Sequence, residues 1–506
     1  MTSFVAPALS YSLLAPILIV LGGAVLGVIV EAFVSRTHRS TIQLSITLGT
    51  LVLSLAQVWR IRHASSITVA MGSVNVDGPA ILLQGSIIII AILGVFLIAD
   101  QDHFTTLAAA LPGSSEEREA QQSGEKLTEV YPLTLFAVAG MLLFPIATDL
   151  ITLFVALEVL SLPLYLMAGL SRRRRLLSQE AALKYFLLGA FSSAFFLFGS
   201  AFLYGYSGTL SLAGIHDAIE ASPANQVFLL IGIAFVSVGL LFKVSAVPFH
   251  AWTPDVYQGA PTPVTAFMAA ATKMAAFGAM LRIFYASLAN SYWDWRPLLT
   301  VIAIVTMLFG AVVAIAQRDV KRMLAYSSIA HAGFLITGIL ALNKSGLDAT
   351  IFYLFAYGIA TIGAFGIVTL VRDSSGEVTE LNRWAGLGKR SPFIATVFAT
   401  LLLAFAGIPL TSGFIGKFTI FSAAYEGGNR AVVVVGVLSS AIAAVFYIGV
   451  IVLMFFTDPV EDGTSVVIPS ILTRTTVIIS FVLTIFLGVF PTPLLNFIHS
   501  TAIFIR

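Results

Sequence analysis

Residues 151–170 read ITLFVALEVLSLPLYLMAGL, a run with a single charge, Glu158, well inside it. An apolar helix of ~20 residues crosses the hydrocarbon core of a bilayer, so this stretch reads as a membrane crossing that carries a carboxylate. A charge at the bilayer centre costs at least ~2.5–3.5 kcal/mol on insertion scales. The pattern recurs along the chain. TAFMAAATKMAAFGAML (265–281) holds Lys273 mid-span, SGFIGKFTIF (412–421) holds Lys417, and Lys184 and Lys243 lie in further apolar runs. Ionisable groups kept at that cost point to the movement of protons or ions.

Composition supports the membrane reading. Of 506 residues 58% are hydrophobic and 10% charged, against ~25% charged in soluble domains. The net charge of +2 makes no case for nucleic acid. The absence of cysteine excludes disulfides, thiolate zinc sites, iron–sulfur clusters and c-type haem attachment within the chain. The histidines, His38, His63, His103, His216, His250, His331 and His499, offer no facing pair for a haem. With no Walker sequence and no GxGxxG after a strand, the expectation is a chain that binds neither ATP nor NADH and carries no redox cofactor. No Lys or Arg precedes the first apolar run, which is too long for a signal-peptide core and reads as a retained helix.

The fold expected is all-α, a single integral membrane domain over 1–506 with about fourteen transmembrane helices. The runs are Leu13–Phe33, Ile42–Trp59, Ala80–Ala99, Leu133–Ala147, Ile151–Leu170, Ala181–Tyr204 and Val227–Val247. They continue with Val264–Tyr285, Leu299–Ala316, Tyr326–Leu342, Ile351–Val371, Phe393–Ala424, Val432–Phe456 and Val477–Phe490. The fourth and fifth are separated by very little. Residues 100–130 form a Ser/Gly/Glu-rich hydrophilic loop, and Asp458–Asp462 a second, acidic one.

Two spans read as broken. The seventh ends LLFKVSAVPFHAW, with Pro248 shortly after Lys243. The twelfth is too long for one straight crossing and contains FAGIPLTSGFIGKF, where Gly407, Pro409 and Gly413 interrupt the hydrogen-bond ladder. Interrupted, ion-bearing helices five spans apart suggest inverted repeats over 131–290 and 297–456. With the N-terminus outside, Arg36, Arg39, Arg118, Lys126, Arg172 to Arg175, Arg318, Lys321, Arg322, Arg372, Arg383, Lys389, Arg390 and Arg474 fall on the cytoplasmic side. Arg60, Arg62, Arg282, Arg296, Lys344, Arg430 and Arg506 fall opposite. This asymmetry obeys the positive-inside rule and puts both termini on the outer side of the membrane.

Lysine suits a proton relay because desolvation penalises its charged form and a nearby carboxylate favours it. Glu158 with Lys243 is the expected loading pair, with Lys273 passing the proton on and Lys417 delivering it to the far side. His331, in AYSSIAHAGFLI, suits a relay between them, its reference pKa of ~6.5 being near neutrality. Each has a plainer reading. Lys184, beside Glu180 and near a span end, and Lys243, late in its run, could snorkel to the surface. Lys273, Lys417 and Glu158 could form packing ion pairs, His331 could be a hydrogen-bonded core residue, and His250 an interface residue. The arginine run Arg172–Arg175 reads as a topology anchor before an anionic-lipid or partner site.

The strings LEVLSLPLYLMAGL, EAALKYFLLGAFSSAFFLFGSAFLYG, FKVSAVPFHAWTPDVYQGAPTPVTAFMAAATKMAAF, DVKRMLAYSSIAHAGF and AGIPLTSGFIGKF resemble the subunit N family of the proton-pumping NADH:quinone oxidoreductase, respiratory complex I. The resemblance covers about Tyr131 to Phe456. It implies an antiporter-like membrane-arm subunit with fourteen core helices, broken seventh and twelfth spans and paired half-channels joined by a hydrophilic axis. It also implies Glu158 and Lys243 as a modulating ion pair, Lys184 on a lateral connection, Lys273 at the centre and Lys417 as the terminal lysine. His250 and His331 match motif histidines. In the sibling subunit M a glutamate stands where this chain has Lys417, and subunit L adds a long lateral helix beyond the last span.

In functional terms the resemblance implies a translocase subunit that moves protons while partner subunits hold NADH, FMN, iron–sulfur clusters and quinone. Its neighbours would be other membrane-arm subunits and the lipid bilayer, with no nucleic acid. Two other readings share the scaffold: a subunit of a monovalent cation/proton antiporter complex, and an assembly subunit whose buried charges only fix packing.

Overall fold

The computed structural model describes residues 9–504 except 64–65, 101–114, 116–125, 172–174, 222–225, 374–375 and 460–463. The arginine run, at 172–174, and nearly all of the loop over 100–130 lie outside the described residues.

Helices account for most of the chain. In order they are α1 Tyr11–Phe33, α2 Arg36–Arg60, α3 Gly78–Ala99, α4 Val130–Leu143, α5 Leu150–Ala168, α6 Arg175–Ser207, α7 Leu212–Glu220, α8 Gln226–Val244 and α9 Trp252–Gly259. Then come α10 Thr262–Arg282, α11 Tyr292–Ile315, α12 Val320–Leu340, α13 Lys344–Val368, α14 Pro392–Ala406, α15 Ser412–Glu426, α16 Arg430–Phe456, α17 Ile471–Val489 and α18 Thr492–Thr501. Among the described residues twelve helices are long and apolar enough to cross a membrane. The shorter Val130–Ile146 and the broken pair α14/α15 bring the crossings to the fourteen expected.

Polar residues place several boundaries. Asp77, Asp149, Asp319, Asn343 and Ser470 each accept a backbone N–H of the first helical turn, of Ala80, Thr152, Arg322, Gly346 and Thr473 respectively. The Asp149 cap makes the short fourth–fifth junction a true break.

Helices α10, α12 and α13 are buried almost along their whole length, and the others pack around them. Outer helices turn large apolar residues outward, such as Phe191 on α6 and Val434 and Val445 on α16. A water-soluble fold would bury these; a lipid-facing surface is the setting in which they cost nothing.

The ends of the bundle test the count of crossings. One end carries the hairpin β1 Ile67–Val69 with β2 Val74–Val76, and the bridges Val74–Ala147 and Asp149–Ser211. The opposite end carries β3 Val371–Asp373, flanked by β4 Gly376–Glu377 and β5 Ser465–Val466, and the bridge Asp319–Glu380. The Val74–Ala147, Asp149–Ser211, β3–β5 and Asp319–Glu380 contacts each join two loops that fourteen crossings put on the same side; one miscounted span between them would have set them apart. Both ends of the described residues lie at the β1–β2 end: Gln57 Nε2 donates to Ser12 O, and Lys344 Nζ to Ala502 O, each at 2.8 Å.

Two of the basic residues sorted to the ends of the bundle, Arg282 and Lys321, are buried rather than exposed there. Arg282 is 1% exposed and forms a bidentate ion pair with Asp77 at 2.9 and 2.8 Å, its Nε donating to Pro145 O at 2.6 Å. Lys321 is likewise buried, donating to Ala260 O at 2.7 Å. Arg282 ends α10 and Lys321 begins α12, and each reaches the backbone carbonyl of a neighbouring segment.

Candidate functional site: buried lysines beside two helix breaks

Helix α8 stops at Val244, one residue after Lys243, and Ser245 takes a left-handed φ of 68°. The chain then turns through 248–251 into the short α9. Lys243 is 3% exposed, and its Nζ donates to Ser161 Oγ at 2.7 Å and to Tyr185 OH at 3.3 Å. Tyr185 is stacked on Trp252 of α9, ring centroids 4.5 Å apart and planes 3° apart.

Glu158 stands one turn before Ser161 on α5, and its Oε1 is buried without a hydrogen-bond partner. The expected Glu158–Lys243 pair is therefore not closed as an ion pair. A serine hydroxyl holds the ammonium, with the carboxylate on the same helix face (i, i+3).

Lys273, on α10, is 1% exposed and donates to the Ser328 carbonyl of α12. Its ammonium lies 5.6 Å from the centre of the Tyr357 ring, within cation–π range. Tyr357 in turn lies 4.7 Å from the His331 ring. His331 Nδ1 is 2.5 Å from Tyr353 OH, and Nε2 3.4 Å from Tyr447 OH, which also bonds Ser327. Among the described residues no hydrogen bond links the Lys243 group to Lys273.

The twelfth crossing is interrupted as its glycines and proline imply, by turns at 407–411 rather than by an extended piece. Ending α14 at Ala406 leaves its last carbonyls without intrahelical partners. Lys417, from the first turns of α15, satisfies them: its Nζ donates to Phe405 O at 2.8 Å, Ala406 O at 3.0 Å and Ser440 Oγ at 2.8 Å. A cation at a helix C-terminus also opposes the helix dipole. Gly407 has φ 83°, and a Cβ there would come within 2.9 Å of Lys417 Cδ, so only glycine lets the lysine lie across the break.

Lys184 is elsewhere. It is 40% exposed and pairs with Glu180 and with Asp255 of α9, each at 2.6 Å. Asp255 is shared with Arg322 at 2.7 Å, and Arg322 also bonds Gln258. Burial alone would raise the Asp255 carboxyl, but the hydrogen bonds from Lys184 and Arg322 outweigh it and hold the group below the usual carboxylate range. His250, in the turn before α9, is half-buried with its ring 4.6 Å from Phe309 and its Nδ1 unpartnered. Desolvation pushes it down from its ordinary value, a backbone hydrogen bond at Pro248 only partly opposing this. The structure does not bring it to the lysines.

Sequence reasoning missed the neutral partners: Ser161, Tyr185, Tyr353, Tyr447 and Ser440. It also missed Asp255 and the Asp77–Arg282 pair. Ser161 had a signal, its i+3 spacing from Glu158; the others come from helices remote in the chain.

A profile described as NADH:quinone oxidoreductase/Mrp antiporter, TM, matches residues 147–443, over half of the chain. The fold is thus that of the antiporter-like membrane subunits. NADH-quinone oxidoreductase subunit N of Rhodococcus opacus is 56% identical, the match covering 99% of this chain and 97% of that protein. The protein of that name from Mycobacterium bovis is 50% identical over 99% of each. Among solved structures, a chain of respiratory complex I from Thermus thermophilus with bound aureothin is 32% identical, with TM-score 0.79 and 96% and 100% of the two chains covered. A chain of the Mrp complex from Dietzia shares the fold, with TM-score 0.81 at 22% identity and 97% of each chain covered. The chain belongs to the subunit N family of NADH-quinone oxidoreductase, as a multi-pass membrane subunit.

Proposed function

We propose that this chain is a proton-translocating membrane-arm subunit of a type I NADH:quinone oxidoreductase. Redox chemistry in partner subunits drives it, and no redox centre lies in the chain itself. NADH, FMN, iron–sulfur clusters and quinone belong to those partners, and its direct neighbours are other membrane-arm subunits. The observation that carries the reading is that Lys243, Lys273 and Lys417 are buried and held by hydroxyls, carbonyls and ring faces rather than by carboxylates. At Lys273 and Lys417 a neutral cage lets the ammonium give up its proton without stranding an anion beside it, whereas Lys243 has the Glu158 carboxylate nearby.

Glu158 sets the charge near Lys243: a carboxylate brought to the ammonium loads a proton there, and its withdrawal releases it. From Lys273 the proton passes along Tyr357, His331, Tyr353 and Tyr447 toward Lys417, at the break of α14/α15. Lys184 marks the lateral side. One elementary charge moved against 100 mV costs ~2.3 kcal/mol, and a swing of two pKa units is worth ~2.7 kcal/mol. We place both termini outside the cytoplasm, and take 131–290 and 297–456 as inverted repeats, since each holds one interrupted helix with a lysine beside its break.

The test uses the complex purified through this chain and reconstituted in sealed vesicles. NADH with quinone should acidify the lumen without sodium. Acidification that requires a Na⁺ gradient, with no NADH-oxidising partner present, would move the assignment to a cation/proton antiporter complex.

A further inference from the structure

At the end of the bundle opposite the termini, a cavity of about 360 Å³ opens between the start of α14 and the segment leading into α17. Arg390, Ser391, Phe393, Pro469 and Arg474 are part of its wall. Arg390 donates to Thr464 O and Ala385 O, both at 2.6 Å, while its Nε is buried with no partner. Among the described residues neither arginine is paired with a carboxylate. Burial pushes the Arg390 guanidinium down from its ordinary value, as expected of a cation packed without an anion. Helix α14 begins at the same cavity. Ser391 precedes its first residue, Pro392, without making a side-chain cap, so the positive end of the helix dipole lies beside the arginines.

The rim is apolar. Of its wall, Phe393 is 58% and Ile468 88% exposed, and the outer faces of α14 and α17 continue from them. A cationic pocket with an apolar rim at a helix-end level is the arrangement an amphiphilic anion fits, head inward and tails along the helices. We infer that this cavity binds the phosphate headgroup of an anionic membrane phospholipid, with Arg390 and Arg474 on the phosphate oxygens. The site is separate from the lysine row and does not depend on the proposed proton path.

The probe is a photoactivatable phosphatidylglycerol, added to the assembled complex in phosphatidylcholine nanodiscs, with cross-links mapped to peptides. Wild type should label the peptides holding 391–394 or 469–474. Arg474→Gln should cut that labelling about fivefold, the worth of one basic residue at an anionic surface, and Arg474→Lys should keep most of it. Arg390→Gln should also reduce it, but it breaks two backbone contacts, so Arg474 is the deciding position. Equal labelling of wild type and Arg474→Gln, or labelling confined to other peptides, would overturn the site. Loss of labelling on adding millimolar inorganic phosphate would overturn the lipid assignment in favour of a free anion.

Discussion

Lys184 and Lys273 sit on helices of one bundle and are held in opposite ways. Lys184, part-exposed, is clamped between two carboxylates, and Asp255 then recruits Arg322. Lys273, buried, touches a backbone carbonyl and an aromatic face. Counter-charges fix a proton in place, because each partner favours the ionised state of the other. Neutral partners leave both protonation states of the lysine tolerable. The end cluster is therefore built to hold, and the interior row to exchange.

The Asp77–Arg282 pair sharpens the contrast, because it is as buried as Lys273 yet carries counter-charges. Arg282→Met should have the largest effect, stranding a buried carboxylate at a cost of about 3–5 kcal/mol. The expected outcome is loss of assembled complex, read by native gel, with substantial recovery in the double variant with Asp77→Leu. Recovery is expected because replacing both charges removes the stranded group. If Arg282→Met assembled normally, the distinction between holding and exchanging pairs would lose its buried example.

Asp255→Asn should have a smaller effect, with a defined pH signature. Its carboxyl is depressed in the folded protein, so its contribution is present above the unfolded value of about 3.9 and is lost as pH falls through the folded value. Between pH 5 and 8 the thermal midpoint of wild type should exceed that of Asp255→Asn by a constant margin, shrinking only in stronger acid. A margin that changed across pH 6–7 would make this cluster an exchanging one and undo the comparison.

The smallest effect is expected from His250→Gln. Burial holds His250 below its ordinary value, so it stays neutral near pH 7, and it contacts Phe309 rather than the lysine row. The pH profile of proton translocation should be unchanged by the substitution. A displaced profile would put His250 back on the path that its neighbouring motif suggests.

Legibility followed chain distance. Fourteen crossings and the break at 407–411 could be read from local strings, because apolar run length and the placement of Gly407 and Pro409 act within a few residues. Lys243, Lys273 and Lys417 were legible because a charge inside an apolar run is conspicuous by itself. What satisfies them was not. Asp77 and Arg282 are 205 residues apart, and Lys417 meets Ser440 only because α14 ends where it does. The gap between Glu158 and Lys243 likewise depends on how α5, α6 and α8 pack, which spacing on one helix does not determine. Nothing local marks Arg282 as buried for the same reason: its partner Asp77 caps α3, remote in the chain.

The central claim is that the interior lysines carry protons because their partners are neutral, and Lys273→Gln tests it most directly. Glutamine can still donate to the Ser328 carbonyl, so packing is largely kept while the titratable group is removed. The measurement is proton translocation per NADH oxidised in sealed vesicles, normalised to the amount of assembled complex. The account predicts normal assembly with translocation reduced about tenfold or more, the change that ~1.4 kcal/mol in a barrier produces. Undiminished translocation by fully assembled Lys273→Gln complex would contradict it and leave the buried lysines as packing elements.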